Sequence, residues 1–243
     1  MISRYEFKYL LDPGTAEDVA RHASVFMDPD PLGGPTGAYL VTSLYLDRTD
    51  WMLARQTWEG VRERMKLRIR FYGPEPQVVF AEIKKRVGNT IEKLRERIAP
   101  EHAAALAHNE PMPADAGAPI FRQVAERIDA RPGLWVRYKR RAWVSPWGDG
   151  TRLTLDSGLE VQEPGAHRFR PADAPWRTVP LEAPVILEMK FNGAYPSWMR
   201  TIAEGLRLER TSCSKYAQGV DIVKDEPWAT PWVSGGRSSW RPG

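Results

Sequence analysis

The sequence predicts an α+β protein in which eight antiparallel strands close into a tunnel barrel with a charged lumen and helices packed outside. Three observations carry that expectation. Short strand-like runs occupy residues 4–11, 39–47, 64–72, 77–86, 91–98, 134–143, 151–156 and 185–191. Most alternate apolar with charged residues, the period of two expected of a strand with unlike faces. The charged faces are dominated by Arg and Lys, whereas a solvated sheet face would mix signs and hydroxyls.

In chain order, "RYEFKYL" sets Arg4, Glu6 and Lys8 against Tyr5, Phe7 and Tyr9. "TAEDVARHASVF" reads as a helix with Thr15 as N-cap and Asp18 three residues on. A second helix starts at Thr49 and stops at Gly60. "MKLRIRF" groups Lys66, Arg68 and Arg70 against Leu67, Ile69 and Phe71. "VFAEIKKR" groups Glu82, Lys84 and Arg86, and "EKLRER" groups Lys93, Arg95 and Arg97. "PEHAAALAHNE", "PIFRQVAERIDA" and "PSWMRTIAEGLRL" each open with proline at a first helical position. "VRYKRRA" groups Arg137, Lys139 and Arg141, with Arg140 on the opposite face. "RLTLD" groups Arg152, Thr154 and Asp156, and "ILEMKF" pairs Glu188 with Lys190. Trp51, Trp58 and Trp198 fall in helix-like stretches and are expected to cover the outer wall of the barrel. Residues 1–225 read as one domain. Residues 226–243, rich in Gly, Ser and Pro, read as a flexible tail.

Composition narrows the class. With 42% hydrophobic and 27% charged residues, the 243-residue chain can build a sizeable core. A net charge of +4 is a mild bias toward anions. The single cysteine, Cys213, excludes an internal disulfide and a cysteine-based zinc site. It has no convincing His partner and reads as a small buried residue. The four histidines lack metal-ligand spacing. The N-terminus has no apolar signal core and no run is long enough to span a membrane, so a cytoplasmic location is expected. Neither a Walker A segment nor Gly-x-Gly-x-x-Gly is present.

A cationic lumen is costly because like charges repel and buried charges lose hydration. It makes sense if a polyanion fills it. Single-stranded nucleic acid would need aromatics interleaved with the cations for stacking. Here the aromatics fall on the opposite face, which points to bare phosphate and away from nucleic acid. Carboxylates on the cationic face, Glu6, Glu82 and Glu188, suit a divalent metal that bridges phosphates.

At these residues the sequence resembles the VTC (vacuolar transporter chaperone) polyphosphate polymerase domain, of the triphosphate tunnel metalloenzymes related to CYTH proteins. "RYEFKYLL", "SLYLD", "KLRIRFYG", "FAEIKKR", "RYKRRAW", "RLTLD", "LEMKF" and "SCSKYAQG" carry the resemblance in that order, from Arg4 to Asp221. It implies a tunnel of eight strands that binds ATP or another triphosphate and polyphosphate, with Mn²⁺ or Mg²⁺. It implies Lys8, Arg68, Arg70, Lys84, Lys93, Arg137, Arg152 and Lys215 as phosphate-gripping residues. Glu188, joined by Glu6, is implied as metal ligand. Related hydrolases begin Glu-x-Glu-x-Lys, whereas this chain has Arg4-x-Glu6-x-Lys8, a departure that favours the polymerase branch. The expected activity is transfer of the γ-phosphate of ATP to a polyphosphate chain. A hydrolase of tripolyphosphate or nucleoside triphosphate, with Glu6 or Glu82 orienting water, and a non-catalytic polyphosphate or phosphoinositide sensor are the alternatives. The oligomeric state is left open.

Overall fold

Each run marked as a strand by its alternation forms one in the computed structural model, which describes residues 4–88, 90–165 and 169–224. The first part of the chain folds as β1 (Arg4–Leu11), α1 (Pro13–Phe26), β2 (Asp28–Pro29), β3 (Ala38–Asp47), α2 (Met52–Trp58), β4 (Glu63–Tyr72), β5 (Val79–Val87) and β6 (Thr90–Ile98). Then come α3 (Ala103–His108), α4 (Pro119–Arg127), β7 (Arg131–Val144), β8 (Arg152–Gln162), β9 (Arg177–Thr178), β10 (Val185–Asn192), α5 (Ser197–Gly205) and α6 (Lys215–Lys224). The expected tail, 226–243, lies outside the described residues.

Eight strands form one antiparallel ladder in the order β1-β10-β8-β7-β3-β4-β5-β6, with the two-residue β2 and β9 added to β7 and β8. The sheet curls into a half-barrel. Strands β1 and β6 end the ladder and do not pair with each other among the described residues. The free edge of β1 is met by the segment after α5, through Thr211 N donating to Lys8 O at 2.9 Å. The other edge, β6, carries charge on both faces: Lys93, Arg95 and Arg97 on one, Glu92 and Glu96 on the other.

Two apolar clusters lie on the convex side. Leu44, Leu67, Ile69, Phe71, Ala81 and Trp135 pack under α3 and α4 through Leu106 and Phe121. Tyr9, Leu155, Leu187, Met189 and Phe191 pack under α1 and α5 through Val19, Ala23 and Ile202. A third cluster fills one end of the concave side, where Tyr216 and Val220 of α6 meet Val136, Val161 and Ile186. Gly219 permits this approach, since a Cβ there would fall 2.7 Å from Val161 Cγ1. Helix α6 has no signal of its own in the sequence beyond the "SKY" motif.

Helix α1 is capped by Asp12, not Thr15: the Asp12 carboxylate accepts from Thr15 N at 2.9 Å, and Pro13 opens the first turn. Helix α2 is shorter than its sequence suggests. It is clamped by buried Asp47, which accepts from Leu53 N and Ala54 N at 2.9 Å and from Tyr216 Oη at 2.6 Å. Among the described residues no helix is long and apolar enough to cross a membrane.

Candidate functional site

The register of the ladder decides which charges meet. On β4, β5 and β6 the partners run Arg68↔Glu82↔Arg95, and two residues along, Lys66↔Lys84↔Lys93. Both rows face the concave side and line a cavity of about 180 Å³. Facing them from the opposite limb are Arg4, Glu6 and Lys8 of β1, Glu188 and Lys190 of β10, Arg152 of β8, Arg140 of β7 and Lys215 of α6. Twelve lining residues are Lys or Arg and two are Glu. Counting Glu82, Asp156 and Asp30 behind them, the balance is twelve against five, a surplus of seven. That exceeds the +4 of the whole chain, so the rest of the molecule is net negative.

Glu82, 1% exposed, organises the first row. Arg68 Nε lies 2.6 Å from its Oε2, Lys93 Nζ 2.7 Å and Arg95 Nε 3.3 Å from its Oε1, with Arg70 at 4.0 Å. Burial alone would raise its carboxyl, but Arg68, Arg70 and Lys93 hold it far below the usual range. Tyrosines fix the guanidiniums. Arg68 donates to Tyr45 Oη at 3.1 Å, and Arg70 to Ser43 Oγ at 2.9 Å and Tyr138 Oη at 3.2 Å. Tyr45 stacks on Tyr216 at 4.4 Å, tying the row to the α2 clamp.

Glu188 organises the opposite limb. Lys190 Nζ is 2.7 Å from Oε2, while Lys215 at 3.0 Å and Lys8 at 3.4 Å approach Oε1. Asp156 behind it takes both arms of Arg140, at 2.6 and 2.7 Å, and Lys215 at 2.8 Å. Glu188 is held well below its ordinary value by Lys190, Lys215 and Lys8, against the upward push of burial. Burial would lower Lys8, but Glu188 and Glu6 outweigh it and hold it above the ordinary lysine value.

The second row has no acid of its own and borrows from outside it: Lys93 shares Glu82 of the first row. Lys84 reaches across the groove to Glu6 at 2.9 Å. Lys66 donates only to a hydroxyl, Ser214 Oγ at 2.8 Å, among the described residues. Burial, then Lys8, Lys84 and Arg68, press its pKa well below the lysine range. Burial also brings Lys93 down to about 8, with Glu82 offsetting part of the fall.

Of the residues expected at the site, Lys8, Arg68, Arg70, Lys84, Lys93, Arg152, Lys215, Glu6 and Glu188 line this cavity. Arg152 is anchored at the rim by Asp30 and by Tyr39 Oη at 2.9 Å. Arg137 does not line it. On β7 the concave residues are Val136, Tyr138 and Arg140, so the expected face is reversed. Arg137 pairs with Glu160 at 2.7 Å and covers the Trp176 ring at 4.0 Å, and Lys139 is exposed. Period two reveals alternation but not which face turns inward. On β7 both faces carry cations, because its outward side is only partly covered by helices. Arg140, Lys190, Arg95, Arg4 and Lys66 join the lining beyond the expected set; Lys190, Arg95 and Lys66 share strand faces with Glu188, Lys93 and Arg68, a signal already in the alternation. Cys213 is buried with its thiol pushed up by burial, and its backbone oxygen accepts from Lys8 Nζ at 2.9 Å.

Mn²⁺ or Mg²⁺ would need oxygen donors. Among the described residues no group of three or more His, Cys, Asp or Glu converges to cage an ion. Glu6 and Glu188 both approach Lys8, at 3.5 and 3.4 Å. A hard divalent ion that arrives with phosphates needs only one or two carboxylates, since phosphate oxygens and water complete its shell. The donor chemistry fits a metal shared with a phosphate chain, not a cage made by the protein alone.

Comparison with curated proteins finds no match. Among solved structures the chain is similar to the PH1819 protein of Pyrococcus horikoshii, with 11% identity and a TM-score of 0.46 over 91% of this chain and 98% of that one. It is also similar to the PH1012 protein of the same organism, with 13% identity and a TM-score of 0.42 over 86% of this chain and 92% of that one. The VTC domain matches residues 3–224. The groove thus sits wholly within the matched span, and this chain belongs to the VTC domain family, which points to polyphosphate-related function.

Proposed function

We propose that the chain is a metal-dependent phosphotransferase that binds triphosphate and polyphosphate along the concave groove and moves the γ-phosphate of ATP to the end of a polyphosphate chain. The observation that carries this reading is the lysine row Lys66–Lys84–Lys93, three cations side by side on adjacent strands with one carboxylate, Glu6, reaching across and Glu82 shared from the row beside it. Like charges directly opposite one another destabilise a sheet, so a bound polyanion relieves the row.

Arg68, Arg70, Arg140 and Arg152 are fixed forks suited to non-bridging phosphate oxygens, and the lysines supply point charge. In the transfer, the bond from the γ-phosphorus to its bridging oxygen breaks and ADP leaves. A new bond forms to a terminal oxygen of the chain. That oxygen is already anionic, so no strong general base is required, and catalysis rests on alignment and charge neutralisation. Glu188 and Glu6 would hold Mn²⁺ or Mg²⁺, which when bound supplies charge to the phosphoryl oxygens. A hydrolase would need a group to orient water. Glu82 is poorly suited, being buried beneath four cations.

The test is incubation with ATP and Mn²⁺, followed by separation of long-chain polyphosphate from free phosphate. Long chains support transfer; free phosphate alone makes the protein a hydrolase; tight triphosphate binding with no turnover makes it a sensor. Glu188→Gln keeps size and loses charge. It is expected to cut turnover by about 10³-fold, the scale on which loss of one group that neutralises transition-state charge acts in phosphoryl transfer, while metal-free triphosphate binding survives or tightens. Full activity in that variant removes Glu188 from the site.

A further inference from the structure

A second cavity, of about 250 Å³, opens off the cationic groove. The two share Glu6, Lys8, Lys66, Lys84 and Ser214, so they are compartments of one space with Lys66 at the junction. Their linings differ in kind. The groove is walled by charge and tyrosine. The second compartment has Trp58, Met65 and Ile91 as apolar wall, Gln218 as an uncharged amide, and Arg64 and Arg86 on the strands beside them.

Trp58 is the informative residue. The sequence expectation puts it on the outer wall with Trp51 and Trp198; Trp198 packs against a convex cluster, whereas Trp51 packs against the concave one. Trp58 joins none of the three clusters among the described residues and lines the cavity half-buried. It ends α2, whose start is clamped by Asp47, so the ring sits on a rigid element. Gln218 accepts a weak bond from Cys213 Sγ at 3.4 Å through Oε1, which leaves its amide nitrogen for a ligand.

A ligand that spans both compartments has a polyanionic end and a planar, uncharged, hydrogen-bonding end. We infer that the second compartment receives the nucleoside of a nucleoside 5′-triphosphate whose phosphates enter the groove past Lys66, with Trp58 stacking on the base. A bare phosphate chain has no use for an indole and an amide. The volume is just under the roughly 300–1,000 Å³ of drug-sized pockets, which suits a base and its sugar better than a peptide segment. The inference rests on the phosphate reading of the groove and adds the place where the donor's nucleoside is held.

The experiment is calorimetric titration with ATP, methyl triphosphate and tripolyphosphate. ATP and methyl triphosphate carry the same phosphates and charge and differ by the nucleoside. Wild type is expected to bind ATP about tenfold tighter than methyl triphosphate, within what base–aromatic stacking contributes. Trp58→Ala is expected to abolish that preference while methyl triphosphate affinity stays within about twofold; Trp58→Phe, which keeps a stacking face, is expected to retain most of it. If Trp58→Ala does not fold, Trp58→Phe and Gln218→Ala carry the test, the latter expected to weaken ATP alone. Equal affinity of wild type for ATP and methyl triphosphate overturns the nucleoside compartment and leaves the phosphate reading standing. So does equal loss of both ligands in a folded Trp58→Ala. Failure of wild type to bind any of the three overturns the phosphate reading, and this inference with it.

Discussion

Two rows of side chains, two residues apart on the same three strands, solve the problem of buried charge in opposite ways. Arg68–Glu82–Arg95 alternates in sign around its own acid. Lys66–Lys84–Lys93 does not alternate, and its middle member reaches across the groove for Glu6. The strands and the curl are common to both. The difference therefore lies in the side chains alone. The first row carries its own acid, whereas the second borrows Glu6 and Glu82 from outside it and leaves Lys66 with a hydroxyl alone. Residue type follows the same division: rigid Arg forks surround Glu82, and mobile Lys ammoniums are left where a ligand must be met.

The sharpest way to break the comparison is Glu82→Gln, which strips the first row of its carboxylate. Leaving four cations without their acid is expected to cost about 3–5 kcal/mol, or a fall in Tm of roughly 6–20 °C for a chain of this size. Tripolyphosphate is expected to restore part of the loss, because the row then resembles its neighbour. A Tm unchanged in thermal denaturation would mean that the carboxylate does not organise the row.

Lys66→Glu runs the comparison in reverse by giving the second row its own acid. It is expected to raise the ligand-free Tm by about 2–8 °C, from roughly 1–2 kcal/mol of relieved repulsion, and to weaken tripolyphosphate at least about 100-fold by removing one cation and adding an anion. Stability and affinity that fall together would show Lys66 to be structural.

A smaller effect is expected in the pH dependence. Lys93, brought down by burial to about 8, is charged below that pH and loses its proton above it. Its share of tripolyphosphate affinity should fall as pH rises from 7 to 9, by a few-fold. Ligand-free stability should move the opposite way. Between about 8 and the ordinary lysine value the unfolded chain holds more protons, so this group adds stability as pH rises. Lys93→Arg stays charged throughout, and both slopes should shrink relative to wild type in parallel titrations. Identical slopes would remove Lys93 from the phosphate path.

The smallest expected effect is that of Arg137→Ala, less than about twofold on tripolyphosphate affinity, since its partners are Glu160 and Trp176 outside the groove. This residue marks where the sequence stops being legible. On β1, β4, β5, β8 and β10 the alternation names the inward cations, because an apolar opposite face leaves one choice. On β7, Arg137 and Lys139 compete with Tyr138 and Arg140, and only the packing of Tyr138 against Arg70 decides. The lysine row is likewise invisible in the sequence. Each lysine can be read on its own strand, but their adjacency depends on a register that no single strand contains. Trp58 escapes for a related reason. A helical position says that a side chain leaves the helix on some face, and not whether core or cavity waits there.

Among the described residues β6 pairs only with β5, and an unpaired edge is a template for adding strands from other copies of the chain. Here the sequence of that strand answers the hazard. Lys93, Arg95 and Arg97 on one face and Glu92 and Glu96 on the other leave little apolar surface for an incoming strand to cover. A second copy of β6 arriving antiparallel would set each charged row beside its like. The charges that look least orderly in the alternation therefore act as a guard against aggregation at this edge.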